Sequence, residues 1–105
     1  MRRTLVPLLL AALLLLPASA AARQRVRVKD NFFSPSTVTV SKGERVIWRF
    51  RGDNSHNVHV VSGPRHFTSA TKSSGRYRKK MRKRGTYKIV CTIHAPDMRM
   101  TLKVE

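Results

Sequence analysis

The sequence predicts an all-β domain, a sandwich or a barrel, behind a short apolar N-terminal segment. Several short stretches alternate apolar and polar residues, which is the period of half-buried strands. Clusters of Gly, Pro, Asn, Asp and Ser lie between these stretches and mark turns. After the N-terminal segment, no stretch keeps the period of an amphipathic helix. Many short strands with turn signals between them are typical of sandwiches and barrels.

Residues 1–20 have the three-part layout of a secretory signal peptide. A positive start is followed by an apolar run over residues 5–16 and by the small residues Ala18, Ser19 and Ala20. The run is shorter than the ~20 residues that a membrane-spanning helix needs. Cleavage would leave residues 21–105 as one small exported domain, in the periplasm or at the cell surface. The alternative is that the segment is retained as an anchor, because residues 4–22 carry no charge.

The first half of the domain predicts three strands. Residues 25–29 and 37–40 alternate charged or polar residues with apolar ones, and turn-forming residues lie between them. The stretch 41–44 predicts a tight turn. Residues 45–50 form the third strand, with Val46, Trp48 and Phe50 on one face. After a break at residues 52–55, residues 56–61 begin the next extended segment.

The second half begins with an irregular polar region, residues 62–75. Residues 77–81 are a candidate strand with little apolar content. Gly85 then turns the chain into residues 86–91, where Tyr87, Ile89 and Cys91 share one face. The last strand, residues 98–104, presents its even-numbered apolar side chains to the interior.

The loop after residue 90 carries three metal donors. Cys91, the only cysteine, is followed by His94 and then by Met98. Thiolate, imidazole and thioether together are the donors that copper prefers, whereas a thioether is a poor zinc ligand. A second histidine would complete the two-His, one-Cys, weak-Met set of a blue-copper electron-transfer site.

The remaining candidates for that set cannot be separated by strand parity. His56, His59 and His66 all precede the loop, and Met100 shares a face with Met98. The short reach from His94 favours Met98 as the sulfur donor and leaves Met100 to the core. His59 is more simply a solvated strand histidine, and His66 falls in the irregular region.

Charge and composition narrow the classes of function. The chain has 22 Lys and Arg residues against 5 Asp and Glu, for a formal net charge of +17. Nucleic acid is the usual partner of such an excess, but export favours acidic proteins or anionic surfaces, and we expect no specific nucleic-acid site. No paired carboxylates or Ser-His-Asp arrangement stand out, so an enzyme is not expected. Four histidines and one cysteine cannot furnish a multicopper or a thiolate-bridged dinuclear centre.

Five short motifs occur together between residue 26 and the end of the chain. They are Phe33-Ser34-Pro35, the stretch from Gly43 to Trp48, His56-Asn57-Val58, Gly85-Thr86-Tyr87 and Cys91-x2-His94 with Met98 beyond. In this order they resemble the plastocyanin-like cupredoxins, the blue copper proteins, and most closely the short-loop amicyanin and pseudoazurin type. The resemblance implies a Greek-key β-sandwich with one mononuclear type 1 copper ion near one end.

The resemblance also implies a role for each site residue. His56, Cys91 and His94 are expected to form the trigonal plane of copper ligands, with Met98 as a weak axial ligand. Asn57 is expected to tie its loop to the cysteine loop. The implied function is single-electron transfer between redox partners by Cu(I)/Cu(II) cycling.

Two other classes of function stay open from the sequence. One is copper handling, in which Met100, His59 and His66 would add ligands. The other is a basic binding module for anionic surfaces or nucleic acid, with copper incidental.

A basic segment between Arg76 and Arg84 predicts where a partner docks. Seven of its nine residues are Lys or Arg. Such a face would steer an acidic redox protein or an anionic surface into contact. The alternative interpretation is that the segment is a solvated edge strand whose charges prevent edge-to-edge pairing with another chain. Membrane contact is expected only if the N-terminal segment is retained, and the domain is expected to be a monomer.

Overall fold

The computed structural model describes residues 23–105, which form eight β-strands. The strands are β1 (Arg23–Lys29), β2 (Phe32–Ser34), β3 (Thr37–Val40), β4 (Arg45–Phe50), β5 (His59–Ser62), β6 (Arg76–Lys80), β7 (Gly85–Val90) and β8 (Arg99–Val104). Over these residues no helix is long and apolar enough to cross a membrane. The predicted signal segment, residues 1–20, lies outside the described residues.

The strands form two four-stranded sheets that pack face to face. The first sheet has the order β2-β1-β4-β6 and the second the order β3-β8-β7-β5. Each sheet is mixed, because β1 pairs with β4 and β3 pairs with β8 in parallel while the other pairs are antiparallel. The predicted all-β class is confirmed, and the arrangement is consistent with a Greek-key sandwich.

The core lies between the sheets, where the inward side chains of the alternating strands meet. The predicted inward faces of β4, β7 and β8 are buried. Trp48 from the first sheet lies at the centre, and its Nε1–H donates a hydrogen bond to Met100 Sδ in the second sheet at 3.3 Å. Trp48 also contacts the rings of Phe67 and Tyr77, with centroids 6.1 and 5.7 Å away. Met100 is therefore a core residue, as predicted.

Tyr87 fixes the turn that precedes β7. Its ring is fully buried, and its hydroxyl donates a 2.7 Å hydrogen bond to the backbone carbonyl of Lys83, four residues earlier. A tyrosine that bonds back to the chain just upstream is a recurrent corner of Greek-key sandwiches. A Cβ at position 63 would lie 2.9 Å from this ring, so Gly63 leaves the space that Tyr87 occupies.

β3 and β4 have the predicted bounds, and those of β1, β6, β7 and β8 differ from the predicted ones by one or two residues. Three of the differences from prediction have a local physical reason. β2 was predicted as a turn region, because a strand of three residues is too short to display an alternating pattern. β5 begins at His59 instead of residue 56, since residues 56–58 run past the metal loop outside the regular ladder. Met81 follows β6 but is buried, and its N–H donates to the carbonyl of Glu44 at 2.9 Å.

Candidate metal centre

The loop between β7 and β8 is closed by its own backbone. Cys91 follows directly after β7, and its N–H donates to the carbonyl of Met98 at 3.0 Å. The N–H of His94 donates to the carbonyl of Cys91, and the N–H of Met98 donates to the carbonyl of His94, both at 3.2 Å. Cys91, His94 and Met98 span eight positions of the sequence, and these hydrogen bonds fold the loop so that the three residues surround one point. The side chains of Cys91 and Met98 are fully buried there.

His56 enters the site from a different part of the chain. Its N–H donates to the carbonyl of Lys72 at 3.0 Å, and its carbonyl accepts from the N–H of Lys72 at 2.9 Å. This isolated bridge holds His56 in place although it lies outside a regular strand. The imidazole is completely buried.

Both imidazoles turn their Nδ1 atoms toward the cysteine sulfur. The distance from Cys91 Sγ is 3.8 Å to His56 Nδ1 and 3.7 Å to His94 Nδ1. The two ring centroids are 5.0 Å apart. All three donor atoms lie within 4.8 Å of one another. Among residues 23–105 this is the one group of His, Cys, Asp or Glu side chains with such a geometry.

These separations fit a trigonal metal site. When bonds of ~2.05 Å to imidazole nitrogen and ~2.3 Å to thiolate sulfur meet at ~120°, the nitrogen and the sulfur lie ~3.8 Å apart. The two observed sulfur–nitrogen distances are 3.7 and 3.8 Å. Two imidazoles, a thiolate and a nearby thioether suit copper better than zinc, because the thioether is a soft donor. The residues thus fit a mononuclear copper site.

Asp30 holds the far side of the His56 ring. Its Oδ1 lies 2.7 Å from His56 Nε2. Backbone N–H groups of Asp53 and Asn54 donate to the same carboxylate at 2.7 and 3.0 Å. A Cβ on Gly52 would overlap this carboxylate, so the glycine makes the close approach of the loop feasible.

The hydrogen bond with His56 is the main cause that lowers the pKa of the Asp30 carboxyl, and the hydrogen bond from the Asp53 N–H is the next. An ionised carboxylate at Nε2 can only accept a hydrogen bond, so the ring proton lies on that nitrogen. The imidazole tautomer is then the one that leaves the Nδ1 lone pair facing Cys91.

Asn57 connects the histidine segment to the cysteine loop. Its Nδ2 donates to Thr92 Oγ1 at 3.0 Å, and its Oδ1 accepts from the Thr92 N–H at 2.8 Å. This two-point contact joins residue 57 to the position directly after Cys91. It fixes the distance between the two chain segments that supply the donors.

One side of the site reaches the surface. His94 is half-buried, whereas His56, Cys91 and Met98 are buried completely. Ile93, next to His94, is 51% exposed. The imidazole edge of His94 and the Ile93 side chain therefore form the exposed end of the site.

The other sequence candidates lie elsewhere. His59 Nδ1 is 2.8 Å from Thr68 Oγ1, and His66 is exposed in the region between β5 and β6. Met100 accepts the indole N–H of Trp48 in the core. Sequence reasoning missed Asp30, which was read as a turn residue, because no spacing pattern relates it to His56.

Comparison with known proteins agrees with this geometry. The family model of the cupredoxin-like domain matches residues 4–104. Among solved structures, a reduced Cu(I) form of an amicyanin variant has 27% identity and a TM-score of 0.70, over 84% of this chain and 86% of that chain. A comparison with curated proteins finds no match.

Two further solved structures share the fold. Pseudoazurin from Hyphomicrobium denitrificans has 23% identity and a TM-score of 0.68, over 79% of this chain and 75% of that chain. The copper-containing nitrite reductase of Thermus scotoductus SA-01 has 25% identity and a TM-score of 0.69, over 94% of this chain but only 25% of that chain. With a family-model match over nearly its whole length, the chain belongs to the cupredoxin-like family.

Proposed function

We propose that this protein is an exported type 1 copper protein that carries single electrons between redox partners. The observation that carries the proposal is the buried triangle of two imidazole nitrogens and one sulfur, with sulfur–nitrogen distances of 3.7 and 3.8 Å. The Cu(I) amicyanin structure, at 27% identity over most of both chains, supports copper as the ion. When bound, copper supplies a one-electron Cu(I)/Cu(II) couple.

In this proposal His56, Cys91 and His94 would be the three principal ligands of the ion, and Met98 would be a weak fourth ligand. The His56 ring is set by Asp30, and the segment of His56 is joined to the cysteine loop through Asn57. Because these hydrogen bonds fix the donors before an ion is present, the donors need not move when the oxidation state changes. A rigid site of this kind keeps the reorganisation that accompanies electron transfer small.

Electrons would leave through the exposed edge of His94. The buried imidazole of His56 has no comparable access to solvent. The exposed Ile93 beside His94 supplies apolar contact for a redox partner at this end of the molecule. The basic segment between Arg76 and Arg84 is proposed to dock an acidic redox partner or an anionic surface. The signal-like residues 1–20 support export to the periplasm or the cell surface.

The test is the visible absorption spectrum of residues 21–105 after addition of one equivalent of Cu(II). We expect an intense blue colour from thiolate–copper charge transfer, and we expect Cys91→Ser to lose it. His66→Ala is the matched control, since that exposed histidine lies outside the site, and it should keep the colour. A pale product from the parent domain would contradict a thiolate-ligated Cu(II).

A second measurement separates electron transfer from copper handling. Cyclic voltammetry of the copper-loaded domain should give a reversible one-electron wave, with the copper retained through repeated cycles. Release of copper on reduction, or binding of several colourless Cu(I) ions, would favour handling over electron transfer. The engagement of His59 with Thr68 and of Met100 with Trp48 supports electron transfer, because neither side chain is turned toward the site.

A further inference from the structure

The outward face of the first sheet carries a two-dimensional array of cations. Strand pairing places the outward residues of β1, β4 and β6 in three rows across the sheet. The rows are Arg23, Arg45 and Lys80; Arg25, Ile47 and Arg78; and Arg27, Arg49 and Arg76. We call the eight cations of these rows the arginine face. With strands ~4.8 Å apart and outward residues ~6.7 Å apart along each strand, the array is about as dense as a sheet permits.

The charges of the arginine face are not neutralised within the described chain. Like charges directly opposite each other on neighbouring strands destabilise a sheet. Within residues 23–105 the single ion pair within 4.0 Å is that between His56 and Asp30. None of the eight cations therefore has a carboxylate partner in that part of the chain. An anionic partner would relieve a repulsion that the fold itself leaves in place.

Arginine residues make up much of the lining of two shallow depressions on this face. One, of about 230 Å³, is lined by Arg25, Arg27, Arg49 and Arg51 together with Ser34. The other, of about 300 Å³, lies beside it and adds Arg76 to Arg49 and Arg51. Planar guanidinium groups bind phosphate in a bidentate manner, and they give up their hydration more readily than an ammonium does. Each depression has room for a phosphate group.

The apolar residues of the face indicate which kind of anionic partner fits. Ile47 occupies the centre of the array but is only 4% exposed, so it offers little apolar surface to a partner. Phe32 lies at the rim, opposite Lys29 on β1, and is 49% exposed. Protein interfaces usually have an apolar or aromatic centre and a polar rim. On this face the cations lie at the centre and the exposed aromatic ring lies at the rim. This arrangement suits a bilayer, because aromatic side chains enter the membrane interface beside bound phosphates.

From these observations we propose that the arginine face docks the protein peripherally on a bilayer that contains anionic phospholipid. An array of cations spread over three neighbouring strands can contact several lipid phosphates at once. The arginine face shares Arg76, Arg78 and Lys80 with the basic segment, and for these residues we commit to the anionic surface in place of an acidic redox protein. The inference does not rest on the metal centre. The loop with His94 joins two strands of the other sheet, so a molecule lying on the arginine face keeps that loop accessible to a soluble redox partner.

Vesicle binding by residues 21–105 tests the proposal. This segment contains both sheets and the whole core, and it excludes the apolar run, which could bind lipid by itself. Binding is measured by sedimentation with vesicles of phosphatidylcholine alone and with vesicles of equal parts phosphatidylcholine and phosphatidylglycerol. We expect binding to the anionic vesicles alone, weakening as salt is raised. Cys91→Ser should bind equally, so this test is independent of copper.

Matched charge variants locate the binding face. The triple variant Arg25→Gln, Arg27→Gln, Arg49→Gln removes three charges from the arginine face. Each basic residue near an anionic bilayer is worth about fivefold in affinity, so the variant should bind roughly 100-fold more weakly. The control Lys88→Gln, Arg99→Gln, Lys103→Gln removes three exposed charges from the outer face of the second sheet. It should bind close to the parent, and its unfolding curve and that of the first variant verify that both fold.

Three outcomes would overturn the proposal. Equal weakening of the two triple variants would mean that net charge, not this face, drives binding. Absence of binding to the anionic vesicles at low salt would exclude the bilayer as the partner. Tighter binding to polyglutamate than to the vesicles would identify an acidic polypeptide as the preferred partner of the face.

Discussion

The His56 ring is held at both of its nitrogens. Nδ1 faces Cys91 Sγ at 3.8 Å, and Nε2 lies 2.7 Å from Asp30 Oδ1. A carboxylate behind a metal-binding histidine fixes the tautomer and the orientation of the ring. Asp30 is itself held by backbone N–H groups of the loop that leads to His56. The ring orientation is therefore set by the fold before any metal is present.

Asp30→Asn should weaken copper binding about 10- to 100-fold, the usual cost of losing such a partner. The side-chain amide can still reach His56, but it loses the charge and presents a donor to the N–H groups of Asp53 or Asn54. Competition with a chelator of known copper affinity measures the effect. Asp53→Asn is the control, since it removes the same charge from the adjacent loop, where the backbone N–H makes the contact. Equal weakening in both variants would assign the effect to charge alone.

Met98 and Met100 allow a second test at the residue scale. Met98→Leu conserves volume but removes the thioether next to the trigonal donors, so the reduction potential should change while the thiolate colour persists. Met100→Leu removes the sulfur that accepts the Trp48 N–H and should leave the potential near that of the parent. Voltammetry of the two copper-loaded variants makes the comparison. A larger change in the Met100 variant would show that the axial assignment is wrong.

The sequence allowed the loop residues to be predicted but not all of their surroundings. Cys91, His94 and Met98 lie within eight residues, so their spacing alone indicated a metal loop. His56 is 35 residues from Cys91 and needed the likeness to a known motif. Asp30 is 26 residues from His56, and its polar neighbours resemble any turn. Contacts between separate loops depend on the packing of the sheets, which local pattern does not encode.

At the scale of elements, the corner before β7 combines burial with one hydrogen bond. The hydroxyl of Tyr87 donates to the Lys83 carbonyl at 2.7 Å. Burial raises the pKa of Tyr87 above its ordinary value of 10.0. The folded state thus holds this proton more tightly than the unfolded state does. Below pH 10.0 this difference in pKa between the folded and unfolded states does not change the free energy of unfolding. Above that pH the unfolded state loses the proton first, so the free energy of unfolding falls until the pH reaches the folded-state pKa.

Tyr87→Phe should lower the free energy of unfolding by about 1 kcal/mol at neutral pH through loss of the hydrogen bond. The decline in stability in alkaline solution should become shallower, because one buried hydroxyl no longer ionises on unfolding. Urea unfolding curves at neutral and alkaline pH provide both values. Tyr77→Phe is the control. Burial raises the pKa of Tyr77 too, but its hydroxyl donates no hydrogen bond within residues 23–105, so this variant should lose little stability at neutral pH.

Strands were predictable to the extent that they alternate. β3 and β4 have the predicted bounds, β7 begins and ends one residue earlier than predicted, and β8 begins one residue later. β2 is stabilised by pairing with β1 across three residues, and only the register of the sheet reveals it. Tertiary pairing, not local preference, decides short strands of this kind.

At the scale of the whole molecule, the excess of positive charge was plain from composition, but its arrangement was not. The alternating arginines of β1 predicted only a half-buried strand. Their alignment with the arginines of β4 and β6 follows from the order of the first sheet. Parallel pairing of β1 with β4 is a long-range contact that period-2 patterns do not specify.

The same charge should raise the reduction potential of the metal site. Oxidation adds a positive charge to a domain that already has 20 Lys and Arg against 5 acidic residues over positions 21–105. Salt screens this repulsion, so the potential should fall as ionic strength rises. Voltammetry in increasing potassium chloride measures the change, and sucrose at matched osmolality is the control. A potential that stays constant or rises with salt would contradict the expectation.

Trp48 gives the molecule a built-in fluorophore. It is the only tryptophan in the chain, it is completely shielded from water, and its indole N–H connects the two sheets. Its emission should therefore move to longer wavelength when the sheets separate and water reaches the indole. Since no second tryptophan contributes, one emission band follows the unfolding of every variant named above without an added label.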